Sequence, residues 1–507
     1  MTRRNTRART TAGNLLLPAS LLLAASLLLS AYLPPAASLS ASPAVSEPVG
    51  QSAHDSSEED LAELAGRMRD EVEALRGCKF KHPVDVGVYT EEEVRAFIED
   101  SFDREEGRRK RSRVEAALKM VGLIPADGGL MDTSRRMLVS MSPPGTYNAE
   151  TKELRIVKKP GLDSNSPAFQ TILVHELTHA LDDQHFDLQK MERETQPCVD
   201  AEIVIGSIVE GSAVTVQQRY MNKMILSGKA DLAQSTQGMA AAMGDMQAVF
   251  DVPLYFATFF ARFTCGVAFL QFGAEIPDST EAASDSSKAE DRTPAGGAQR
   301  RTLPPLKCVA EAMRKAATDT PRSSEQILHP EKYWRDESRD EPVVVRDDDV
   351  ERFLAGEGLR VTHKDTFGEL RTAVLTSPEG KRISPADMPL GPDSWTNRGA
   401  AGWGGDRFFL LAEGAAGDSL AWNADRLYGV WFTMWDTNED REEFIADYET
   451  HRPSLPGRAL ILGDRCAVFL FNLEGSKQEA LEEILRTSPP GFTQAGKPWV
   501  LANASHR

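Results

Sequence analysis

The sequence is poor in histidine, cysteine and positive charge. Its 507 residues include 9 His and 5 Cys, and 58 Lys and Arg stand against 76 Asp and Glu, which gives a net charge of −18. The acidic excess excludes the basic footprint of a nucleic-acid-binding protein, so we expect no nucleic-acid partner. The cysteines contain no C-x-x-C pair, which argues against a Cys-rich zinc site.

Long apolar runs are also missing, except at the N-terminus. Residues 15–33 are nearly all Leu, Ala and Ser; a basic start with Arg3 and Arg9 precedes them, and small residues follow over 36–41. This pattern is typical of a cleaved export signal and predicts a secreted or cell-envelope protein. The run is long enough to span a bilayer, so an uncleaved membrane anchor is the alternative.

The few cysteines suit an exported chain, because disulfides form in oxidising compartments. Up to two disulfides could form, with one thiol left over, among Cys78, Cys198, Cys265, Cys308 and Cys466. Their spacing does not define the pairing.

The strongest signal in the chain is the pentapeptide His-Glu-Leu-Thr-His at residues 175–179. On a helix, His175 and His179 lie one turn apart on the same face, where both rings can bind one metal ion. Glu176 beside them can act on a metal-activated water. Chance would place such a motif in about 1 in 100 chains of this composition. A helix-start signal and an apolar segment precede the motif, so we predict a metal site here.

Catalytic zinc needs a third protein ligand and leaves one position for water. His185 lies at the spacing found in metzincins. However, Asp182 stands where that pattern needs Gly to turn the chain. In a continuous helix, His185 would point about 80° away from the His175 side, too far to bind the same ion.

Glu210 is the favoured third ligand, because it is the only charged residue on a long apolar segment and its unpaired burial would cost several kcal/mol. The small residues Gly206, Gly211 and Ala213 would permit close approach of the metal-binding helix. Another acidic residue, such as Glu202, is the remaining alternative.

Apolar periodicity predicts the elements around this motif. We expect helices over 60–76, 90–120, 199–227 and 232–272, a strand over 83–89, and a hairpin over 145–157 that turns at 148–151. The hairpin's edge strand could line a substrate cleft; an ordinary hairpin is the alternative. All seven Trp lie beyond residue 333, where the pattern predicts strands over 406–413 and 428–435, a hairpin over 459–473, and helices over 439–450 and 477–486. We expect most of these Trp in the core.

Residues 175–188 (HELTHALDDQHFDL), followed by Val-Glu-Gly-Ser-Ala at 209–213, resemble the gluzincin type of zinc metallopeptidase. More closely, they are similar to a group of exported bacterial and archaeal metallopeptidases, with further likeness at 122–125, 325–333 and 402–407. The likeness covers most of the chain from about 85 to 490. One departure is Val214, where a thermolysin-like chain has a supporting Asp. This leaves Asp183 and Asp200 as candidates to support the ligands.

The resemblance implies Zn²⁺ held by His175, His179 and Glu210, with Glu176 as general base for peptide hydrolysis. Gluzincins often stabilise the oxyanion with a downstream His or Tyr, and the candidates here are His329 and Tyr333. A simple turn at His329 is the alternative. The implied partner is a peptide or protein substrate, which the resemblance does not identify.

We therefore predict an α+β fold, with a mainly helical zincin-like catalytic domain, a small edge sheet and a Trp-containing C-terminal domain. The predicted organisation is a signal peptide over 1–41, a disordered linker over 42–58, the catalytic domain over 59–275, a low-complexity insertion over 276–305, an extension completing the catalytic domain over 306–350 and the C-terminal domain over 351–507. The alternative function is a catalytically retired surface protein that binds peptide or glycan through its C-terminal region.

Overall fold

The computed structural model describes residues 58–103, 105–130, 132–135, 145–158, 164–194, 198–230, 254–276, 305–378, 392–413, 426–453 and 459–499. The predicted signal peptide lies outside these ranges. So do nearly all of the predicted linker, residues 277–304 of the predicted insertion and the first part of the helix predicted over 232–272.

The chain folds as a mixed α+β protein with small sheets, as its sequence predicts. The main helices of the described ranges are α1 (Glu58–Arg76), α2 (Glu91–Asp103), α3 (Glu105–Met120), α4 (Pro167–Phe186), α5 (Leu188–Glu194), α6 (Val199–Leu226), α7 (Leu254–Glu275), α8 (Leu306–Thr318), α9 (Ser324–Leu328), α10 (Glu331–Trp334), α11 (Asp347–Gly356), α12 (Gly368–Leu375), α13 (Asn438–His451) and α14 (Gly475–Thr487). None of these helices is both long enough and apolar enough to cross a membrane.

The described strands form three sheets. Their bounds are β1 (Asp85–Thr90), β2 (Gly145–Asn148), β3 (Glu153–Lys158), β4 (Val343–Val345), β5 (Leu359–Asp365), β6 (Trp403–Glu413), β7 (Leu427–Trp435), β8 (Ala459–Leu462), β9 (Cys466–Phe471), β10 (Phe492–Gln494) and β11 (Lys497–Trp499). The first 3-stranded sheet has the order β1-β3-β2, so β2 is an edge strand. The second 3-stranded sheet is β11-β10-β4, and the 5-stranded sheet is β5-β6-β7-β9-β8.

Most of the predicted elements are confirmed, with bounds that differ by a few residues. The long helix predicted over 90–120 is described as two segments, α2 and α3, on either side of residue 104, which lies outside the described residues. Arg111 of α3 donates a 2.8 Å hydrogen bond to the carbonyl of Phe102 near the end of α2. In a straight helix these two residues lie about 13 Å apart along the axis and on opposite faces, so the contact shows that α2 and α3 are not collinear.

The 5-stranded sheet has a core on each face. Alternate residues of a strand point to opposite faces, and Phe408 belongs to the larger core whereas Phe409 belongs to the second. The larger core also contains Ile208 of α6 and Phe269 of α7, which joins the central helices to the C-terminal sheet. A third core packs α1 and α4 against β3, including Leu177.

The small residues of α6 face a different neighbour from the one we expected. A side chain at Gly206 would meet the side chain of Arg262, and one at Gly211 would meet the backbone of Gly266. Both Arg262 and Gly266 lie on α7. The glycines therefore permit close approach of α7 instead of the helix that carries His175 and His179.

All five cysteines are free thiols. Neither of the two disulfides that the sequence allows is formed. Cys265 and Cys466 are buried in the helical and sheet cores, where they pack as small apolar side chains.

Candidate functional site

Helix α4 presents the pentapeptide on a buried face. The hydroxyl of Ser166 accepts a 3.3 Å hydrogen bond from the amide of Phe169, and Pro167 begins the helix, as the sequence predicts. The helix continues without a break to Phe186, where Asp187 adopts φ of 53° and ends it. The two histidines of the motif therefore lie on successive turns.

His175, His179 and Glu210 meet between α4 and α6. The Nε2 atoms of the two histidines are 2.9 Å apart. Oε2 of Glu210 lies 3.4 Å from each of them. The side chains are buried, at 1%, 5% and 7% exposure respectively. Three ligand atoms of suitable type thus converge on one point.

These distances fit the donor set of a zinc ion. Ligands about 2.05 Å from a tetrahedral zinc lie about 3.3 Å from one another. Both 3.4 Å separations from Glu210 match this value, and the 2.9 Å separation of the histidines is somewhat shorter. Two imidazole nitrogens and one carboxylate, leaving a fourth position open, form a known catalytic zinc set.

Without a cation, the three side chains of the cluster have pKa values shifted in different directions. Burial and the neighbouring His179 lower the pKa of His175 to about 4. Burial would also lower the pKa of His179, but the carboxylate of Glu210 raises it to about 9. Burial opposes ionisation of Glu210, yet the two histidines lower its pKa to about 2. At neutral pH, Glu210 is therefore negatively charged and keeps His179 protonated. The positive charge of His179 lies where a bound cation would otherwise balance Glu210.

Gln217 is a contact that our sequence analysis missed. Its Oε1 lies 3.2 Å from Nδ1 of His175, and the side chain is 2% exposed. Gln217 follows Glu210 by seven residues, which places both on one face of α6. The spacing from Glu210 is a signal in the sequence, but it does not identify His175 as the partner of Gln217.

Glu176 adjoins the cluster with one oxygen held and one free. Its Oε2 accepts a 2.7 Å hydrogen bond from the amide of Tyr147 on β2. Its Oε1 is buried without a hydrogen-bond partner among the described residues. Burial raises the pKa of Glu176 to about 8. A carboxyl group with a raised pKa and a free oxygen suits proton transfer near neutral pH.

Asp183 fixes the hairpin of β2 and β3 against α4. Its carboxylate accepts a 2.6 Å hydrogen bond from the hydroxyl of Tyr147, and both of its oxygens contact Nζ of Lys152, at 2.8 and 2.9 Å. The amide of Leu188 donates to it as well. Tyr147 therefore bonds to α4 at two points, through its amide at Glu176 and through its hydroxyl at Asp183.

A buried ion pair ties three helices together beside the cluster. Nη2 of Arg76 on α1 lies 2.9 Å from Oδ1 of Asp182 on α4. The hydroxyl of Ser212 on α6 donates a 2.5 Å hydrogen bond to the other oxygen of Asp182. This network holds α4 and α6 at the distance that brings their ligand atoms together.

The other candidates are placed elsewhere. Nε2 of His185 lies 2.9 Å from the carbonyl of Lys79, and Glu202 is exposed on α6. Neither belongs to the cluster. Of the two residues suggested to support the ligands, Asp183 binds the hairpin. Asp200 accepts a 3.0 Å hydrogen bond from the amide of Ser324.

The two candidate oxyanion donors form other contacts. Nε2 of His329 lies 3.0 Å from Oε1 of Glu369. Tyr333 is fully buried, and its hydroxyl donates a 2.6 Å hydrogen bond to the carbonyl of Asp319. In the part of the chain that the structure describes, no hydrogen bond or ring contact joins either residue to the cluster.

A second carboxylate group surrounds an internal cation. Glu325, Asp340 and Asp436 each place an oxygen near Nζ of Lys332, at 2.5, 3.1 and 3.1 Å. The ammonium group occupies the point where the carboxylates converge, and the other oxygen of Glu325 is buried without a described hydrogen-bond partner.

Comparison with known proteins adds one match. A family model described as a domain of unknown function (DUF8575) matches residues 354–458. This span covers β5 to β7, α12 and α13 and does not include His175, Glu176, His179 or Glu210. No curated protein matches the chain. No solved structure matches it either.

Proposed function

We propose that the protein is an exported zinc-dependent metallopeptidase, with His175, His179 and Glu210 as the metal ligands. We also propose that α4, α6 and the β2–β3 hairpin form a zincin-like catalytic unit. The observation that carries the proposal is the convergence of three buried ligand atoms beside a carboxylate that keeps one free oxygen. A merely structural metal site has no use for such a carboxylate.

Each residue of the proposed site has a distinct role in hydrolysis. A bound zinc ion would supply Lewis acidity, which polarises a carbonyl and lowers the pKa of a water molecule. Glu176 accepts the proton of the attacking water at Oε1 and delivers it to the departing amine. The amide of Tyr147 holds Oε2 of Glu176 and so fixes the direction in which Oε1 points. The proposal assigns no role to His329 or Tyr333, because their described contacts lie elsewhere.

The Trp residues do not favour the alternative of a glycan- or peptide-binding surface. The five whose side chains the structure describes are all buried, with exposures of 8% or less, and they are Trp334, Trp395, Trp403, Trp431 and Trp435. Large aromatic side chains that fill a core are not available for stacking on a ligand.

The decisive experiment separates proton transfer from metal binding. Glu176→Gln should lower hydrolysis of an unfolded, fluorescently labelled protein by about 10²–10⁴-fold, because an amide cannot accept the proton. The variant should keep the wild-type zinc content, measured by atomic emission spectroscopy. Glu210→Gln should lose the zinc as well as the activity.

Glu202→Gln is the matched control, since this exposed residue lies on the same helix as Glu210. It should keep both zinc and activity. Unchanged hydrolysis in Glu176→Gln, or a wild-type protein that takes up no zinc, would contradict the proposed function.

A further inference from the structure

We propose that Gln217 is the positioning residue that fixes the ring tautomer of His175 and so presents the Nε2 lone pair to the metal. The inference rests on the proposed function to the extent that the cluster binds zinc. Metal-binding histidines are commonly held through their second ring nitrogen, most often by a carboxylate or a backbone carbonyl. Here the group within reach is a neutral amide.

Helix α6 brings Gln217 to this position through its periodicity. Seven residues are close to two turns, so Gln217 and Glu210 project from the same face. One helix thus supplies both a ligand and the group that orients a second ligand. Val214, on the turn between them, is buried and apolar. It occupies the position where the family resemblance places an acidic residue.

The contact between Gln217 and His175 selects one tautomer of the histidine ring, because an amide oxygen can only accept a hydrogen bond. The Gln217 oxygen is an acceptor only, so the 3.2 Å contact requires the proton of His175 to be on Nδ1. Nε2 then carries a lone pair directed at the point shared with His179 and Glu210. The opposite tautomer would direct an N–H at that point and would oppose binding of a cation.

The neutral amide of Gln217 also affects how strongly the ring of His175 binds a metal ion. A carboxylate in this position would draw the Nδ1 proton and make the ring a stronger donor, whereas the amide does so less. We therefore expect Gln217→Glu to hold zinc more tightly than the wild type. Gln217→Leu, which removes the acceptor and keeps the apolar volume, should hold it more weakly.

The first test is a competition of the full mature chain against a chromophoric chelator. Gln217→Leu should bind zinc about 10–100-fold more weakly than the wild type. Gln218→Leu is the matched control, because Gln218 is the next residue, is also buried and has no described contact with His175. Its affinity should equal that of the wild type. The visible spectrum of the cobalt-substituted protein should change in Gln217→Leu alone.

The second test does not need the metal. In the metal-free, ¹⁵N-histidine-labelled protein, long-range ¹H–¹⁵N spectra should show His175 with its proton on Nδ1, the signal being assigned by its loss in His175→Ala. This tautomer should persist in Gln217→Glu. A proton on Nε2 of wild-type His175 overturns the inference, as does wild-type zinc affinity in a folded Gln217→Leu. If the wild-type protein binds no zinc, the proposed function fails, and the tautomer spectrum still decides the role of Gln217.

Discussion

Two carboxylates are buried where the N-terminal end of α6 meets the C-terminal sheet. Asp406 accepts hydrogen bonds from the amides of Phe367 and Gly368 and from the indoles of Trp403 and Trp431. Asp200 is 1% exposed and is bonded through one oxygen only. Burial raises the pKa of Asp200 to about 7 and that of Asp406 to about 6.

The raised pKa of Asp200 makes stability depend on pH. Between its ordinary pKa of 3.8 and about 7, the native state holds a proton that the unfolded chain releases. The contribution of this group to the free energy of unfolding is therefore fully present below pH 4 and falls as pH rises to 7, by up to about 1.4 kcal/mol per pH unit. We expect Asp200→Asn, which is neutral throughout, to remove this dependence.

The test measures the free energy of unfolding by denaturant at several pH values between 5 and 8. The difference between the wild type and Asp200→Asn should change steadily up to about pH 7 and then level off. Asp348→Asn, at an exposed position, is the control and should leave the pH profile of the wild type unchanged. Parallel profiles for the wild type and Asp200→Asn would show that Asp200 ionises normally.

At the scale of the elements, the packing of α6 on α7 depends on glycine. A side chain at Gly211 would collide with the backbone of Gly266, which cannot move aside as a flexible side chain could. We expect Gly211→Ala to lower the free energy of unfolding by about 1–3 kcal/mol. Because Gly211 adjoins the proposed ligand Glu210, the variant should also bind zinc more weakly.

Gly66→Ala provides the matched control in thermal unfolding. Gly66 lies within α1, is exposed and has no atom within 4 Å of the position of an added side chain. There, alanine should stabilise the helix by about 0.5–1 kcal/mol, because glycine loses more backbone entropy on folding. A melting temperature of Gly211→Ala equal to or above that of the wild type would contradict the close contact.

The sequence predicted helix starts and turns well where residues close in sequence determine them. Ser166 and Pro167 mark the start of α4, and the side chain of Asn148 accepts the amides of Glu150 and Thr151 at the predicted turn. The contact between Arg111 and the carbonyl of Phe102 joins α3 to α2, and no local pattern encodes it.

The candidate site shows the same division between local and tertiary causes. The histidine spacing is a property of one helix, and Glu210 was noticeable as a lone charge on an apolar segment. The role of Gln217 depends on how α6 packs against α4, because a buried glutamine alone does not indicate its partner. The contact of Gly211 with α7 could not be predicted either, since a glycine permits close approach by any neighbour.

At the scale of the whole molecule, the second core extends across the predicted boundary at residue 350. Strand β4 pairs with β10 near the C-terminus, and Val343 and Val345 are buried in the core that β7 and β9 share. We therefore expect a fragment of residues 340–507 to be more stable than one of residues 351–507. Burial of two valines is worth about 3 kcal/mol or more.

Circular dichroism during thermal unfolding of both fragments would test this expectation. Replacing Val343 and Val345 by Ser in the longer fragment should remove part of its advantage, because the strand then contributes little apolar burial, whereas Val350 at the start of α11 stays in the core. Equal melting temperatures for the two unsubstituted fragments would show that β4 is dispensable.

The two-point attachment of Tyr147 sets a limit on insertions and deletions. Neighbouring residues of a strand face opposite ways, so a shift of one residue in β2 would direct Tyr147 away from α4 and bring Thr146 or Asn148 to face Glu176. The turn that fixes the register is short and includes Lys152 at φ of 57°. Relatives that share the proposed chemistry should therefore keep the length of the turn even where its residues differ, and a gap in this segment should mark chains without that chemistry.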